Sequence, residues 1–257
     1  MYLEPHQLRR VNREFVRYVR GNFPMRFYRS EPWWFRYAAA ALLRMCDTVE
    51  SLMLLLSRHK DLDALVLLRT LYEQVLTFAW ATIDPPRRYV RWADHGNRQA
   101  LAMHNEALRY GQVLLSPDEQ AFAEKAKEGI PSVEVMAREF DAYWPNEIPG
   151  LQIPKDVFSF HGLYQSVYRV GSNRTHGSMT ALEAYVTADP YPSYVAQGEP
   201  SSMFRYSLAA PLLGIALSIG ARHFRWIDEV RVRRFVDRAT AETARRRQAA
   251  GQDRTAG

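Results

Sequence analysis

Hydrophobic residues recur at spacings of three and four along nearly the whole chain, and the strict alternation typical of a β-strand is hard to find. Such a period places apolar side chains on one face of an α-helix. Proline and glycine interrupt the pattern, and these interruptions set the predicted helix ends. The predicted helices cover residues 5–20, 30–58, 61–83, 87–111, 117–128, 133–143, 155–174, 203–226 and 229–247.

This succession of helices predicts an all-α fold, a helical bundle of about four or five long helices with shorter accessory helices. No glycine- and serine-rich linker, low-complexity run or internal repeat divides the 257 residues. We therefore expect a single domain over residues 1–248, followed by a disordered tail over residues 249–257. The single cysteine, Cys46, excludes an internal disulfide and lies in an apolar helical run, so we interpret it as a core residue.

The chain carries no pattern typical of membrane insertion or export. Residues 1–20 are polar and rich in arginine, which is unlike an export signal. The longest apolar run, residues 208–220, is shorter than the roughly 20 residues that a membrane span requires, and it contains Pro211 and Gly214. We therefore expect a cytoplasmic protein without a membrane partner.

The formal charge of +6 is concentrated at the two ends of the chain. Residues 1–60 carry 11 basic and 5 acidic side chains, residues 221–257 carry 10 and 5, and the middle carries 13 and 18. Nearly all of the basic residues are arginine, which binds phosphate through two parallel hydrogen bonds. RNA is therefore one candidate partner, and a solvated surface is the other interpretation. The arginines concerned are Arg9, Arg10, Arg13, Arg17 and Arg20, and Arg231, Arg233, Arg234 and Arg238.

Two charged residues stand alone in an apolar segment. Arg69 and Glu73, one helical turn apart, are the only charged residues in the segment 64–83. The order arginine before glutamate is the weaker orientation for an ion pair on a helix surface, so surface stabilisation explains the pair poorly. Buried charges require hydrogen-bonding partners. We therefore expect both side chains to be largely buried and to contact the helix that carries Tyr168 to His176.

A second candidate site lies between Tyr164 and Ser178. Arg169 and His176 are seven residues apart, so two helical turns place them on one face with Ser172 between them. Histidine can transfer a proton near neutral pH, and arginine can hold the charge that develops on phosphorus during phosphodiester cleavage. A competing interpretation is structural, because histidine followed by Gly177 is also typical of a helix C-terminus.

Several familiar classes of chemistry are excluded by missing motifs. The chain has no glycine-rich phosphate loop, no G-x-S-x-G nucleophile elbow, no H-E-x-x-H and no Glu-x-x-His pair, so we expect neither a cofactor nor a metal. His104 and Glu106 lie on the predicted polar face of the helix over residues 87–111. They are two residues apart and point in different directions, so they cannot share a metal ion.

Two resemblances add to these interpretations. The pair Arg69-x-x-x-Glu73, followed downstream by Tyr168, Ser172 and His176-Gly177-Ser178, resembles the bacterial domain-of-unknown-function family 5677 from about residue 38 to residue 184. This resemblance implies an all-α fold without an assigned activity. Arg169 and His176, with six residues between them, are similar to the Arg-x(4 to 6)-His motif of HEPN proteins. Those proteins are helical bundles often found as metal-independent endoribonucleases in toxin–antitoxin and phage-defence systems.

The HEPN resemblance implies roles for both residues and a homodimer. His176 would deprotonate a ribose 2′-hydroxyl or protonate the leaving oxygen, and Arg169 would stabilise the pentacoordinate phosphate. The supporting polar network would consist of Arg69, Glu73, Tyr168, Ser172 and Asn173. The alternative is a non-catalytic helical module in which Arg69, Glu73 and His176 form a structural network, and which binds a cognate protein or a small ligand. The residues leave both hypotheses open.

Overall fold

A computed structural model describes most of the chain. The described residues are 5–22, 31–58, 60–147, 159–169, 171–172, 186–187, 193–194, 202–224 and 227–234. The long elements are α1 (Pro5–Asn22), α2 (Phe35–Ser57), α3 (Asp61–Ala81), α4 (Pro85–Leu108), α6 (Val133–Glu147) and α8 (Ser202–Ala221). The shorter elements are α5 (Pro117–Ala123), α7 (Phe160–Leu163), a π-helical turn (Tyr164–Tyr168) and α9 (residues 229–234).

The predicted all-α fold is confirmed, and α3 lies at its centre. This helix packs against α2, α4, α6, α8 and the π-helical turn. Its second half is buried almost all round, from Leu71 to Thr82, with the exceptions of Glu73 and Gln74. A helix that is apolar on every side is typical of a protein core. The core continues into α2 and α8, and α1 covers both of them through Phe15, Val16 and Val19.

Several predicted helix ends are displaced in the structure. α2 begins at Phe35 rather than at residue 30, α6 continues to Glu147 rather than residue 143, and α7 begins at Phe160 rather than residue 155. α3 begins at Asp61, as predicted, and Lys60 holds its N-cap position without a side-chain hydrogen bond. These ends depend on tertiary packing, which the sequence period does not encode.

Two local signals in the sequence give the structure that they predict. Ser116 and Glu119 form the reciprocal capping box that starts α5, in which each side chain accepts a hydrogen bond from the backbone N–H of the other residue. Cys46 is a free thiol that is fully buried in α2, and burial raises the pKa of its thiol to about 12. It is therefore a core residue and not a reactive nucleophile.

His104 does not belong to an exposed polar face. It is 2% exposed, and its Nδ1 accepts hydrogen bonds from the backbone N–H groups of Leu114, at 3.2 Å, and Leu115, at 3.1 Å. Its side chain thereby fastens the loop after α4 to that helix, which is a structural role. Sequence period alone places His104 on the polar side because it does not show where the chain folds back.

The described residues include one very short antiparallel pair. Val186–Thr187 lies beside Ser193–Tyr194, with Val186 opposite Tyr194. Two residues per strand are too few to produce a recognisable alternation, so the sequence pattern could not predict them. Among the helices in the described part of the chain, none is long and apolar enough to cross a lipid bilayer. The predicted tail over residues 249–257 lies outside the described residues.

Candidate functional site

The candidate site lies where α3 meets the helix that follows α7. The guanidinium carbon of Arg69 lies 4.6 Å from the centroid of the Tyr168 ring, and Nη2 of Arg69 donates to the Tyr168 hydroxyl at 3.3 Å. A guanidinium over an aromatic face is stabilised by the ring's negative electrostatic potential. We call these two residues the Arg69–Tyr168 cluster.

Close approach of the two helices depends on Gly171. A β-carbon at this position would lie 2.8 Å from Cβ of Arg69 and 3.3 Å from its Cδ. Only glycine therefore lets the backbone of this helix lie against the aliphatic part of Arg69. The helical pattern of the sequence did not predict this role, although an isolated glycine inside such a pattern can mark a close backbone approach.

Tyr168 is the last residue of a π-helical turn that presents two stacked rings. Tyr164 and Tyr168 stand at its two ends, with ring centroids 5.3 Å apart and planes inclined by 18°. His161 stacks on Tyr164 in turn, at 6.3 Å and 10°. Residues four apart are neighbours on a helix surface, so these two rings can stack. π-helical turns occur frequently at functional sites.

The start of α7 is anchored to the core from two sides. The carboxylate of Asp141 on α6 accepts hydrogen bonds from the backbone N–H groups of Phe160 and His161, both at 2.9 Å. Tyr72 on α3 donates its hydroxyl to the Phe160 carbonyl at 2.7 Å. Burial raises the pKa of Tyr72, so the phenol stays protonated and remains a donor. These bonds fix the segment that carries Tyr168.

Arg69 and Glu73 differ in burial. The Arg69 side chain is 19% exposed, which agrees with the prediction, and it contacts the predicted helix. The Glu73 side chain is 43% exposed and its Oε2 lies 3.9 Å from Nη2 of Arg69, so the prediction that Glu73 is largely buried is wrong. Nε of Arg69 is buried and has no hydrogen-bond partner among the described residues. The cluster therefore keeps a donor and a nearby carboxylate that are incompletely paired.

Arg169 points away from this cluster. Consecutive helical residues are separated by about 100°, so Arg169 leaves the helix on a different side from Tyr168. Its side chain is exposed, and its Nη1 donates to the amide oxygen of Gln165 at 3.0 Å. Ser172 is partly buried. His176 and Asn173 lie outside the described residues. Of the three residues predicted to share one helix face, the structure therefore describes only Arg169 and Ser172.

The two basic ends of the chain meet at one point. The hydroxyl of Tyr18 on α1 accepts a hydrogen bond from the backbone N–H of Asp228, just before α9, at 2.6 Å. A surface depression of about 480 Å³ is lined by Arg9, Arg10, Arg13, Glu14 and Arg17. Arg20 is not part of it, because it pairs with Asp47 and Glu50 on α2. On α9, Arg231, Arg233 and Arg234 are exposed, and Arg238 lies outside the described residues.

Metal ligands do not gather in the described part of the chain. Those residues contain no group of three or more histidine, cysteine, aspartate or glutamate side chains that could hold a metal ion. The described side chains near α7 carry guanidinium, phenol, carboxylate and imidazole groups.

Comparison with known proteins identifies the family. No curated protein and no solved structure matches the chain. A family model matches residues 35–192, which is more than half of the chain and includes Arg69, Glu73 and the segment from Tyr164 to Ser178. The chain therefore belongs to the family of unknown function DUF5677.

Proposed function

We propose that the chain acts on RNA as a metal-independent endoribonuclease in which Arg169 binds the scissile phosphate and His176 transfers a proton. The proposal combines the sequence resemblance to HEPN proteins with the position of Arg169. Cytoplasmic RNA would be the substrate, in a toxin–antitoxin or phage-defence setting.

The observation that carries the proposal is the partner of Arg169. Some other exposed arginines pair with a glutamate three or four residues away, as Arg109 does with Glu106 and Arg138 does with Glu134. The side chain of Arg169 instead donates to the neutral amide of Gln165. A phosphate carries the opposite charge and accepts two parallel hydrogen bonds from a guanidinium, whereas the amide of Gln165 is neutral and accepts through a single oxygen. A phosphate group can therefore displace Gln165 from Arg169.

The reaction needs only proton transfers and charge stabilisation. His176 would take the proton from a ribose 2′-hydroxyl, and the 2′-oxygen would form a bond to phosphorus as the bond to the 5′-oxygen breaks. The leaving oxygen would take a proton from a second imidazole that is protonated, an imidazolium, which the other subunit of a homodimer would supply. The products are a 2′,3′-cyclic phosphate and a 5′-hydroxyl, and Arg169 would stabilise the extra negative charge on the phosphate in between.

The residues around the motif serve as support in this proposal. Arg69 lies against Gly171 and under Tyr168, which fixes the helix on both sides of Arg169. Ser172, Asn173 and Glu73 would complete the polar surroundings. Such support matters because a displacement of about 1 Å can cost about 100-fold in rate.

An RNA-cleavage assay in EDTA tests the proposal. The wild-type protein should cut a labelled single-stranded RNA, whereas Arg169→Ala and His176→Ala should each reduce the rate by about 100-fold or more. Their melting temperatures should stay close to that of the wild type. Arg109→Ala, which changes an exposed arginine at the C-terminal end of α4, is the matched control and should cut normally. Uncut RNA at an excess of wild-type protein, or an active His176→Ala variant, would overturn the proposal.

The basic surface on α1 provides a second readout of RNA binding. If Arg9, Arg13 and Arg17 contact phosphates, affinity should fall with salt at a log–log slope of about −0.7 for each phosphate contacted on a single strand. Replacing the three arginines with alanine should flatten this slope. Equal slopes for the variant and the wild type would show that these arginines do not contact phosphates and belong to a solvated surface instead.

A non-catalytic binding module is the second candidate function. The observation that favours it is the incomplete pairing of Arg69, whose Nε has no partner among the described residues while Glu73 stays 3.9 Å away and half-exposed. A cognate protein or small ligand could supply the missing acceptor. In that case the wild type should leave RNA intact, and Arg69→Met should release a partner that remains bound to Arg169→Ala.

A further inference from the structure

A cavity of about 340 Å³ opens between α2 and α4. Both helices pack against α3, and small residues stand where their side chains would otherwise meet: Ala40 and Ala41 on α2, and Ala93 and Gly96 on α4. A β-carbon added at Gly96 would have no heavy atom of another residue within 4 Å. Sites for small molecules fall in this range of volume. The cavity shares no residue with the Arg69–Tyr168 cluster.

The walls of the cavity are aromatic and held in place from behind. Tyr89 and Trp92, one turn apart on α4, have ring centroids 5.6 Å apart. On its other side Tyr89 stacks on the buried Trp34 at 5.2 Å, with the planes inclined by 20°. Tyr37 on α2 is 54% exposed and completes the rim. Rings that are already stacked lose little freedom when a further ring packs against them.

Two polar groups of the cavity have unused hydrogen-bonding capacity. Tyr89 is 2% exposed, and its hydroxyl has no hydrogen-bond partner among the described residues. Buried polar atoms without a partner are rare in native proteins and call for an explanation. Burial raises the pKa of this phenol, so it remains protonated and can donate. Arg44, the one charged residue that lines the cavity, has no carboxylate partner within the described ranges.

We propose that this cavity binds a small aromatic carboxylate. The ligand's ring packs against the aromatic walls and its carboxylate pairs with Arg44. A carboxylate is favoured over an amine because the lining contains a cation and no acid. The aromatic part is favoured because the cavity offers ring faces and alanine methyl groups rather than further polar atoms.

Binding by the full-length protein can be measured by calorimetry and ligand-observed NMR with three matched probes: phenylacetate, phenethyl alcohol and phenethylamine. Phenylacetate should bind at least about 10-fold more tightly than the alcohol, and the amine should bind least, because Arg44 attracts one and repels the other. Arg44→Gln should reduce the affinity for phenylacetate to that for the alcohol.

Filling the cavity provides the decisive variant. Gly96→Leu should abolish binding of phenylacetate, and Ala93→Leu provides the same test from the neighbouring turn if the first variant folds poorly. Arg58→Gln, at the exposed end of α2, is the matched control and should bind like the wild type. Circular dichroism checks the fold of each variant. Unchanged binding by a folded filled variant, equal affinities for the three probes, or no binding of phenylacetate at about 1 mM would overturn the proposal.

Discussion

α3 takes part in two clusters, each of which combines an arginine with an aromatic ring. The clusters differ in how completely their hydrogen bonds are satisfied. In the first, the guanidinium carbon of Arg88 lies 4.7 Å from the centroid of the Trp80 ring. In the second, the corresponding distance from Arg69 to Tyr168 is 4.6 Å. The cation–aromatic contact is thus nearly the same in both. The two clusters differ in the hydrogen bonds and ion pairs around this contact.

The Trp80 cluster is complete. Glu139 on α6 accepts from the Trp80 indole N–H at 2.8 Å and pairs with Arg88 at 3.2 Å. Nη1 of Arg88 also donates to the backbone carbonyl of Trp80 at 3.1 Å. One carboxylate therefore joins α3, α4 and α6. A network with its donors filled stabilises the fold and offers little to a ligand.

The Arg69–Tyr168 cluster is incomplete. Its carboxylate, Glu73, stays at 3.9 Å, and Nε of Arg69 is left without a partner in the described ranges. Each cluster thus combines an arginine, an aromatic ring and a glutamate. In the Trp80 cluster these groups connect three helices, whereas the Arg69–Tyr168 cluster keeps an unpaired donor among the described residues. This difference, rather than burial alone, makes the second cluster the better candidate for function.

Removal of the Glu139 carboxylate, which Trp80 and Arg88 share, should lower the free energy of unfolding more than any other change proposed here. Glu139→Ala leaves both the Trp80 indole N–H and Arg88 without their acceptor, so we expect a loss of about 2–3 kcal/mol in the free energy of unfolding, measured with urea. Glu139→Gln should recover part of it. Glu134→Ala, which removes an exposed pair with Arg138 on the same helix, is the control and should cost less than about 1 kcal/mol. Equal costs for the two alanine variants would contradict a joint role for Glu139.

Helix approach at the open cluster is the next test. Gly171→Ala places a methyl group 2.8 Å from Cβ of Arg69, which is bonded directly to the α3 backbone and cannot rotate away. We expect a loss of about 1–2 kcal/mol in the free energy of unfolding, even though alanine favours helix.

Gly96→Ala is the matched control, because its methyl group meets no heavy atom within 4 Å. This change should raise stability by about 0.5–1 kcal/mol through helix propensity. If both alanine variants were stabilised, the close approach at Gly171 would not constrain the two helices.

The sequence predicts part of this comparison. Arg69 stands out because it interrupts an apolar run, and its need for a polar partner correctly indicated the segment of Tyr168. Helical period placed Glu73 on the same face, but how far that face stays covered depends on where the neighbouring helix lies. The π-helical turn has no sequence signature, because it is a shift of backbone hydrogen bonds. Trp80 and Glu139 are far apart in sequence and no pattern connects them.

The same limit applies to the fold. The period of apolar residues predicted the class and most of the helices, since it reports which face of each helix is buried. It could not place His104 against Leu114 and Leu115, because that contact depends on how the following loop returns. The predicted pair Arg169 and His176 shows the limit most clearly, since spacing placed the two on one helix face but could not show that Arg169 is exposed beside Gln165.

Loss of Glu73 should have a small effect on stability. A fully buried pair would lose about 3–5 kcal/mol when one partner is removed. Because Glu73 is 43% exposed and 3.9 Å from Arg69, we expect Glu73→Ala to cost less than about 1 kcal/mol in urea unfolding. Glu106→Ala, which removes an exposed ion pair with Arg109, is the matched control and should cost a similar amount. A cost above 2 kcal/mol would mean that Glu73 holds Arg69 as Glu139 holds Arg88.

The smallest effect should come from the Tyr168 hydroxyl. Its hydrogen bond with Arg69 is long, at 3.3 Å, so Tyr168→Phe should cost about 0.5 kcal/mol in the free energy of unfolding and leave the ring in place. Tyr168→Leu also removes the aromatic face and should cost about 0.5–1 kcal/mol more. Urea unfolding of the two variants measures the hydroxyl and the ring separately. If phenylalanine and leucine proved equally destabilising, the hydroxyl rather than the ring would hold Arg69, and the two clusters would not share the cation–aromatic contact that makes them comparable.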